Sequence, residues 1–227
     1  MSAARGQILS TIRTALGRTA PDADRRAMLE SRLKSPASQV IPARGQGRPD
    51  EQVERFILEA RRVDATAERL QDKAEIPLAI VRYLKDSSHI SRIKVAPQPQ
   101  FQGLPWSDLV GLDVEFGPAT PDDPASFAFA YAGVAETGTL AMVSSPECPI
   151  SLHFLAETQV VAVAERDIVG AYEDVWKSLR LQNEQGSIMP RAINLITGPS
   201  RTADIEQTLL LGAHGPKNLH ILVIGDG

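Results

Sequence analysis

The sequence predicts an α/β fold, in which a three-layer sandwich is built on a mainly parallel sheet and preceded by a helical N-terminal extension. Three short runs, Val160–Ala164, Ala192–Thr197 and His220–Ile224, are apolar on both faces, which is typical of parallel strands that helices cover. Helical patterns separate these runs, so the last third of the chain alternates strand with helix. The length of 227 residues suits one such domain with an extension.

Residues 1–75 are predicted to form the helical extension. Apolar residues at helical spacing indicate a first helix that ends at Gly17, and a short second helix is predicted over 22–34. The stretch 35–49 is rich in Pro, Gly, Arg and Ser, which is typical of a flexible linker. A single apolar stripe then predicts one long helix over 50–73.

Residues 76–227 are predicted to form the α/β domain, which opens with a helix that carries Pro77 in its first turn. The strands predicted after this helix and before the three runs named above are Arg92–Ala96, Asp113–Phe116, Phe127–Val134 and Thr139–Ser144. Helices are predicted over 149–156, 167–181 and 202–212.

Composition excludes several classes of protein. The formal net charge is -4, and acidic residues are interleaved with the basic ones of the extension, so we expect no nucleic-acid partner. No apolar run approaches the roughly 18 residues of a membrane span, and no secretion signal is recognisable, so the expected compartment is the cytoplasm. Cys148 is the only cysteine, so this chain alone holds no disulfide and no iron–sulfur cluster. No histidine pair has metal-binding spacing, so no metal site is expected.

The segment Thr197–Glu206 (TGPSRTADIE) is the strongest candidate for a ligand site. It joins a predicted strand to a predicted helix, where free backbone amides, hydroxyls and a guanidinium would surround the positive end of the helix. These groups suit a phosphate or a carboxylate, and Arg201 could bind either with two hydrogen bonds. In the alternative interpretation, Ser200 or Thr202 only caps the helix. The candidate ligand-binding residues here are Gly198, Ser200, Arg201, Thr202 and Asp204.

A second candidate is the segment Glu136–Thr139 (ETGT), between two predicted strands. Gly138 suits a tight turn or a close approach of the backbone to a ligand, so Thr137, Gly138 and Thr139 are candidate ligand-binding residues. Glu136, at a strand edge, is a candidate catalytic carboxylate that could act as a base or nucleophile. The alternative is an ordinary polar hairpin turn.

His214 is the second candidate catalytic residue, because it lies between two glycine turns and imidazole side chains in general can take up or release a proton near neutral pH. A histidine that interacts with the C-terminus of the preceding helix is the alternative. Cys148 is expected to be a small buried residue, whereas His153 could equally be packed or solvated, or functional.

The elements TGPSRTADIE (Thr197–Glu206), GAHGPKNLH (Gly212–His220) and ETGT (Glu136–Thr139) resemble the LUD-domain family of lactate-utilisation proteins, in its LutC/YkgG branch. The resemblance covers about residues 125–227 strongly and the N-terminal part loosely. It implies an α/β sandwich similar to the ribose-5-phosphate isomerase and CoA-transferase type.

The resemblance also implies participation in the oxidation of L-lactate to pyruvate, together with partner proteins that hold iron–sulfur clusters. The chain would then be a subunit or accessory protein that binds a small carboxylate, a phosphate or a cofactor of unknown identity. Two alternatives stay open, namely a stand-alone enzyme acting on a phosphorylated or acyl small molecule, and a non-catalytic assembly or regulatory protein.

Overall fold

Six parallel strands form the main sheet of the protein, as a computed structural model shows. Their order across the sheet is β1 (Thr66–Leu70), β12 (Asn218–Ile224), β7 (Thr158–Ala164), β4 (Ala125–Phe129), β2 (Arg92–Val95) and β3 (Asp113–Phe116). The structure describes residues 3–17, 20–34, 40–88, 90–101, 103–106, 109–184, 189–203, 209–212 and 214–225.

A second sheet of four strands lies beside the main one. It has the order β8 (Ile168–Val169), β5 (Ala132–Val134), β6 (Thr139–Val143) and β9 (Ile193–Ile196), and β6 runs antiparallel to both of its neighbours. Helix α3 (Pro49–Arg62) contacts β1 of the main sheet and β8 of the second sheet. Helix α6 (Tyr172–Glu184) covers the second sheet with Val175 and Leu179.

The core confirms the predicted α/β class with a mainly parallel central sheet. All seven residues of β7 are buried, as are six of the seven in β12, because helices and the second sheet cover both faces. Helix α4 (Ile76–Ser88) adds Ile76, Ile80 and Leu84 to the same core. The short helix α5 (Ser151–Phe154) precedes β7 and buries Leu152 and His153.

Residues 1–40 form a separate compact unit from residues 41–227. The first unit contains the two predicted helices, α1 (Ala3–Ala15) and α2 (Ala23–Lys34), and α1 has no buried residue. Within the described part of the chain, no helix is both long and apolar enough to cross a membrane.

The long helix predicted over 50–73 is wrong in its second half. Helix α3 ends at Arg62, and Asp64 reverses the chain with a φ of 62°, a left-handed conformation that Asp tolerates better than most residues. The following residues pair with β12 as strand β1, so the larger compact unit begins at Ile41. The apolar spacing misled because Ala67 and Leu70 fit a helical stripe but are buried by the sheet.

Two further predictions of elements need correction. The helix predicted over 202–212 is absent from the described residues there, which form an antiparallel pair, β10 (Arg201–Ala203) with β11 (Leu209–Leu211). An apolar run such as Leu209–Leu211 is compatible with either structure. The single strand predicted over 127–134 is two strands, because the chain leaves the main sheet after β4 and enters the second sheet as β5.

Candidate functional site

Two of the predicted motif loops meet at Ser200. The Ser200 amide donates to the Pro216 carbonyl (2.8 Å), and the Gly212 amide donates to the Ser200 carbonyl (3.0 Å). The His214 amide donates to the Ser200 hydroxyl (3.3 Å). The loop before β10 and the loop before β12 are therefore held together as one structure, although each was recognised separately in the sequence.

These two loops line a cleft of about 250 Å³, which we call the motif cleft. Its polar lining residues are Thr197, Ser200, Arg201, His214, His153 and Gln159. None of the described residues that line the motif cleft is acidic, and Arg201 and His214 lie on its wall. Such a lining favours an anionic ligand.

Arg201 already contacts a carboxylate of the protein. Its guanidinium forms an ion pair with Asp64, just beyond the end of α3, and its Nη2 also lies 3.5 Å from the Val63 carbonyl oxygen. A ligand carboxylate would have to share or displace this partner. The described residues supply no helix N-terminus to this loop, because Arg201 begins a strand. Thr202 follows it in that strand, and Asp204 lies outside the described residues.

The ETGT segment forms the turn between β5 and β6. Glu136 is 6% exposed, and its backbone amide donates to the Gly170 carbonyl (3.1 Å). Its Oε2 lies 3.9 Å from the Arg44 Nε and has no hydrogen-bond partner among the described residues. Glu136 does not line the motif cleft, so the structure does not bring the two candidate catalytic residues, Glu136 and His214, into one cleft.

Four hydroxyls connect the ETGT turn to the motif cleft. The Thr139 hydroxyl is fully buried and lies 2.7 Å from that of Thr137, 2.8 Å from that of Tyr172 and 2.7 Å from that of Thr197. A hydroxyl has one donor and two acceptor positions, so these three contacts satisfy Thr139 completely. Thr137 and Thr139 therefore hold Thr197, at the cleft wall, in place.

The glycines of the ETGT turn and of the loop before β10 pack against the C-terminal end of α3. Gly138 has a φ of 64°, and a Cβ there would lie 2.1 Å from the Ala60 nitrogen. Gly198 has a φ of 73°, and a Cβ there would lie 2.3 Å from the Val63 carbonyl oxygen. Both positions require glycine for conformation and for space. This close approach is to the protein's own helix, whereas the sequence also suggested an approach to a ligand.

A buried relay of side chains lies behind the cleft wall, and sequence analysis did not predict it. Asn194 Nδ2 donates to His153 Nδ1 (3.0 Å), and His153 Nε2 lies 3.3 Å from Cys148 Sγ. Because the amide nitrogen can only donate, the ring proton sits on Nε2 and points to the sulfur. The five-residue spacing of Cys148 and His153 was a weak signal, since Asn194 comes from the distant strand β9.

The order thiol, imidazole, amide is also found in cysteine hydrolases, but this relay is electrically neutral. Burial raises the pKa of the Cys148 thiol to about 11 and lowers the pKa of His153 to about 4. An activated nucleophile needs the opposite shift of the thiol pKa. The relay therefore fixes the orientation of the His153 ring, and Cys148 is the small buried residue that the sequence predicted.

A second cleft, of about 390 Å³, lies where strands of the main sheet end; we call it the strand-end cleft. Phe129, Ala164 and Ile224, the last residues of β4, β7 and β12, line it together with Lys73. The carboxyl ends of parallel strands are a common place for ligands. However, no residue of the three motifs lines this cleft, so the motif cleft is the candidate functional site. Among the described residues, no group of three His, Cys, Asp or Glu side chains could hold a metal ion.

Comparison with known proteins shows which proteins this region is similar to. Residues 124–224 match the LUD domain. Lactate utilization protein C of Geobacillus thermodenitrificans is 36% identical over 99 residues, which cover 44% of this chain and 41% of that protein. The chain thus spans about two fifths of the length of these lactate utilization relatives.

Two other similarities extend over more of the chain. YkgG of Escherichia coli K12 is 27% identical over 236 residues, which cover 98% of each protein. The crystal structure of a DUF162 family protein from Deinococcus radiodurans has the same fold, with a TM-score of 0.58 and 22% identity over 79% of this chain and 100% of that one. The match to the LUD domain thus covers residues 124–224, which contain both loops of the motif cleft.

Proposed function

We propose that the chain is a component of an L-lactate utilisation system and that it binds a small anionic ligand in the motif cleft. The names of the relatives support the process, and the lining of the cleft supports the ligand class. The observation that carries the proposal is a cleft with a guanidinium, two imidazoles and two hydroxyls in its wall and no carboxylate among its described lining residues. This arrangement attracts an anion and repels a cation.

The size of the motif cleft favours a metabolite of a few atoms. Its volume of about 250 Å³ is below the roughly 300–1,000 Å³ of sites for drug-sized ligands. A small carboxylate such as lactate or pyruvate would fit, with the carboxylate on Arg201 and the Ser200 hydroxyl. We propose that backbone amides of the turn at Gly198 also contact the carboxylate of the ligand.

His214 is the group that we propose for proton transfer in this cleft. It is exposed and lines the motif cleft, so a ligand can reach its ring. Glu136 would support the site from the far side of the hydroxyl network, where Gly138 packs the turn against α3 and the hydroxyls of Thr137 and Thr139 connect it to Thr197. Thr202 and Asp204 are proposed to contact the ligand from the segment that follows Arg201.

Oxidation of lactate to pyruvate releases two electrons, and another protein must accept them. An iron–sulfur cluster is usually held by four cysteine thiolates, whereas this chain has one cysteine and it is buried. We propose that iron–sulfur partner proteins hold the clusters and that this chain works beside them in the cytoplasm.

Calorimetric titration of the purified chain tests the ligand site. We expect L-lactate, pyruvate or inorganic phosphate to bind, and Arg201→Gln to weaken that binding at least about tenfold, because a charge-assisted hydrogen bond is lost. Arg69→Gln is the matched control, since Arg69 also pairs with a carboxylate, Glu165, but lies outside the motif cleft. The site is rejected if none of the three anions binds, or if both variants behave alike.

Growth of the source organism tests the process. Deletion of the gene should abolish growth on L-lactate and leave growth on glucose unchanged, and affinity capture of the tagged chain from lactate-grown cells should recover proteins with cysteine-ligated clusters. Normal growth on L-lactate would refute the assignment.

The strand-end cleft supports a second candidate function, a stand-alone enzyme acting on a phosphorylated small molecule. Its location at the carboxyl ends of β4, β7 and β12 suits a ligand. Lys73 is the group in its wall that would bind a phosphate, beside the carboxylates of Asp72 and Asp167, which also line this cleft. This function predicts that a sugar phosphate stabilises the chain against heat and that Lys73→Gln removes the effect while Arg201→Gln does not.

A further inference from the structure

Gln159 lies at the start of β7, in the wall of the motif cleft, with an unsatisfied carbonyl oxygen. The residue is 0% exposed, and its Oε1 has no hydrogen-bond partner among the described residues. Buried polar atoms nearly always have such a partner, and an unpaired one costs stability. The exception therefore calls for a donor that this part of the chain does not supply.

The orientation of the Gln159 amide is fixed by its other end. Its Nε2 donates to the Leu152 carbonyl oxygen (3.4 Å), which also accepts the Ser126 hydroxyl (2.8 Å). Turning the amide over would place Oε1 against that carbonyl oxygen, so two acceptors would face each other. The free group is thus an acceptor and not a donor.

The neighbouring His153 does not compete for the same role. Its two ring nitrogens are taken by Asn194 and Cys148, and burial keeps the ring neutral. Among the described residues, Gln159 Oε1 is therefore the buried acceptor of the cleft wall that still lacks a donor. Arg201 and His214 line the same cleft as Gln159.

We propose that Gln159 is a specificity-determining residue, which accepts a hydrogen bond from a hydroxyl on the carbon next to the ligand carboxylate. The motif cleft then selects a 2-hydroxy acid over the corresponding 2-keto acid, because a ketone oxygen cannot donate. This inference rests on the proposed binding of a small anion in the motif cleft and adds the feature by which the reduced form is recognised.

Titration of the full chain with three acids of three carbons tests the proposal. L-lactate carries the hydroxyl, pyruvate carries a ketone and propionate carries neither, while all three share the carboxylate. We expect L-lactate to bind about tenfold more tightly than either of the others, which is the usual effect of one hydrogen bond to a buried group. Gln159→Met should bring the affinity for L-lactate down to that for propionate and leave propionate unchanged.

Gln98→Met is the matched control. Both ends of the Gln98 amide are bonded to the backbone of Phe129, near the opposite ends of the strands, so this variant should keep the tenfold preference. Equal binding of the three acids by the unmodified chain overturns the inference and leaves the proposed anion site intact. Absence of binding by all three overturns the inference, and it overturns the anion site as well if inorganic phosphate also fails to bind.

The comparison of the three acids uses the unmodified chain, so it decides the matter even if Gln159→Met does not fold. Tighter binding of pyruvate than of L-lactate also overturns the proposal. Retention of the preference by a folded Gln159→Met variant does so as well.

Discussion

At the residue scale, Asp64 and Arg201 control how much positive charge the motif cleft offers. Asp64 ends the turn after α3 in a left-handed conformation and pairs with the guanidinium of Arg201. The Asp64 side chain is 68% exposed, so the ion pair contributes little to stability. The ion pair matters more for binding, since the Asp64 carboxylate already pairs with the Arg201 guanidinium that a ligand carboxylate would need.

Asp64→Asn should therefore strengthen the binding of a small carboxylate. Asn is at least as tolerant of a positive φ as Asp, so the turn is kept while the competing charge is removed. We expect an affinity gain of about threefold to tenfold for L-lactate or pyruvate in a calorimetric titration. Asp50→Asn, which alters an exposed carboxylate paired with Arg48, is the control and should leave the affinity unchanged. Weaker binding by Asp64→Asn would contradict the role assigned to Arg201.

His153 makes the stability of the protein depend on pH. Burial lowers its folded-state pKa to about 4 from an ordinary value of 6.5. Between these two values the unfolded chain takes up a proton that the folded chain does not. The free energy of unfolding should thus be retained above pH 6.5 and fall as the pH drops towards 4, by about 1.4 kcal/mol per pH unit from this residue.

The direct measurement is a proton–carbon NMR titration of the imidazole signals. The His153 ring should stay neutral down to about pH 5, whereas the exposed ring of His214 serves as the internal comparison. A midpoint near 6.5 for His153 would show that the ring is open to water and that the relay to Cys148 and Asn194 is not formed.

At the scale of elements, helix α3 supports both the ETGT turn and the loop before β10. Gly138 and Gly198 touch its last turn and the residue after it, and Phe56 from its middle lies under Gly133 of the second sheet. Motifs that the sequence presents as binding loops therefore also serve as packing surfaces. Their glycines are explained by the helix before any ligand is considered.

Gly138→Ala should lower the free energy of unfolding by at least about 3 kcal/mol, because the new methyl group would overlap the α3 backbone and the φ of 64° is unfavourable for alanine. Gly215→Ala is the matched control. Its Cβ would find the nearest heavy atom at 3.4 Å, an ordinary contact, so its effect should stay within about 1 kcal/mol. Urea denaturation followed by circular dichroism measures both. Equal stabilities would show that the turn does not pack on α3.

The strands differ in how well the sequence predicts them. Strands such as β7 and β12 were predictable, because burial on both faces leaves a continuous apolar run. Strand β1 was not, because Ala67 and Leu70 continue the stripe of α3, and only pairing with β12 distinguishes strand from helix. The pairing of β10 with β11 was not predictable either, because the apolar run of β11 fits a helix as well as a strand.

Prediction of the site reached its limit where contacts are long-range. The loops containing Ser200 and His214 were recognisable as motifs, but their mutual hydrogen bonds were not. The relay needs Asn194, 41 residues beyond His153, and the ion pair of Arg201 needs Asp64, 137 residues before it. Gln159 belongs to no motif, and its importance comes only from an unsatisfied atom in a buried wall.

At the scale of the whole molecule, the first compact unit should be dispensable for folding. Residues 1–40 form their own unit, and α1 buries no residue. A chain that begins at Ile41 should retain its free energy of unfolding within about 1 kcal/mol and its affinity for small carboxylates. Urea denaturation and calorimetric titration check this, with the full chain as reference. A large loss of stability would show that the helical unit is part of the fold.

The contact of α3 with the ETGT turn and with the loop before β10 has a practical consequence for the design of chimeras between related proteins. The region that matches the family begins at residue 124, whereas the helix under its loops ends at Arg62. A chimera that receives only residues 124–224 from a relative would place foreign loops on an unsuitable helix, and the glycines would no longer meet the backbone they fit. The transplantable module therefore begins at the start of α3. A bulky substitution at Ala60 should disturb the turn at Gly138, and one at Val63 should disturb the loop at Gly198.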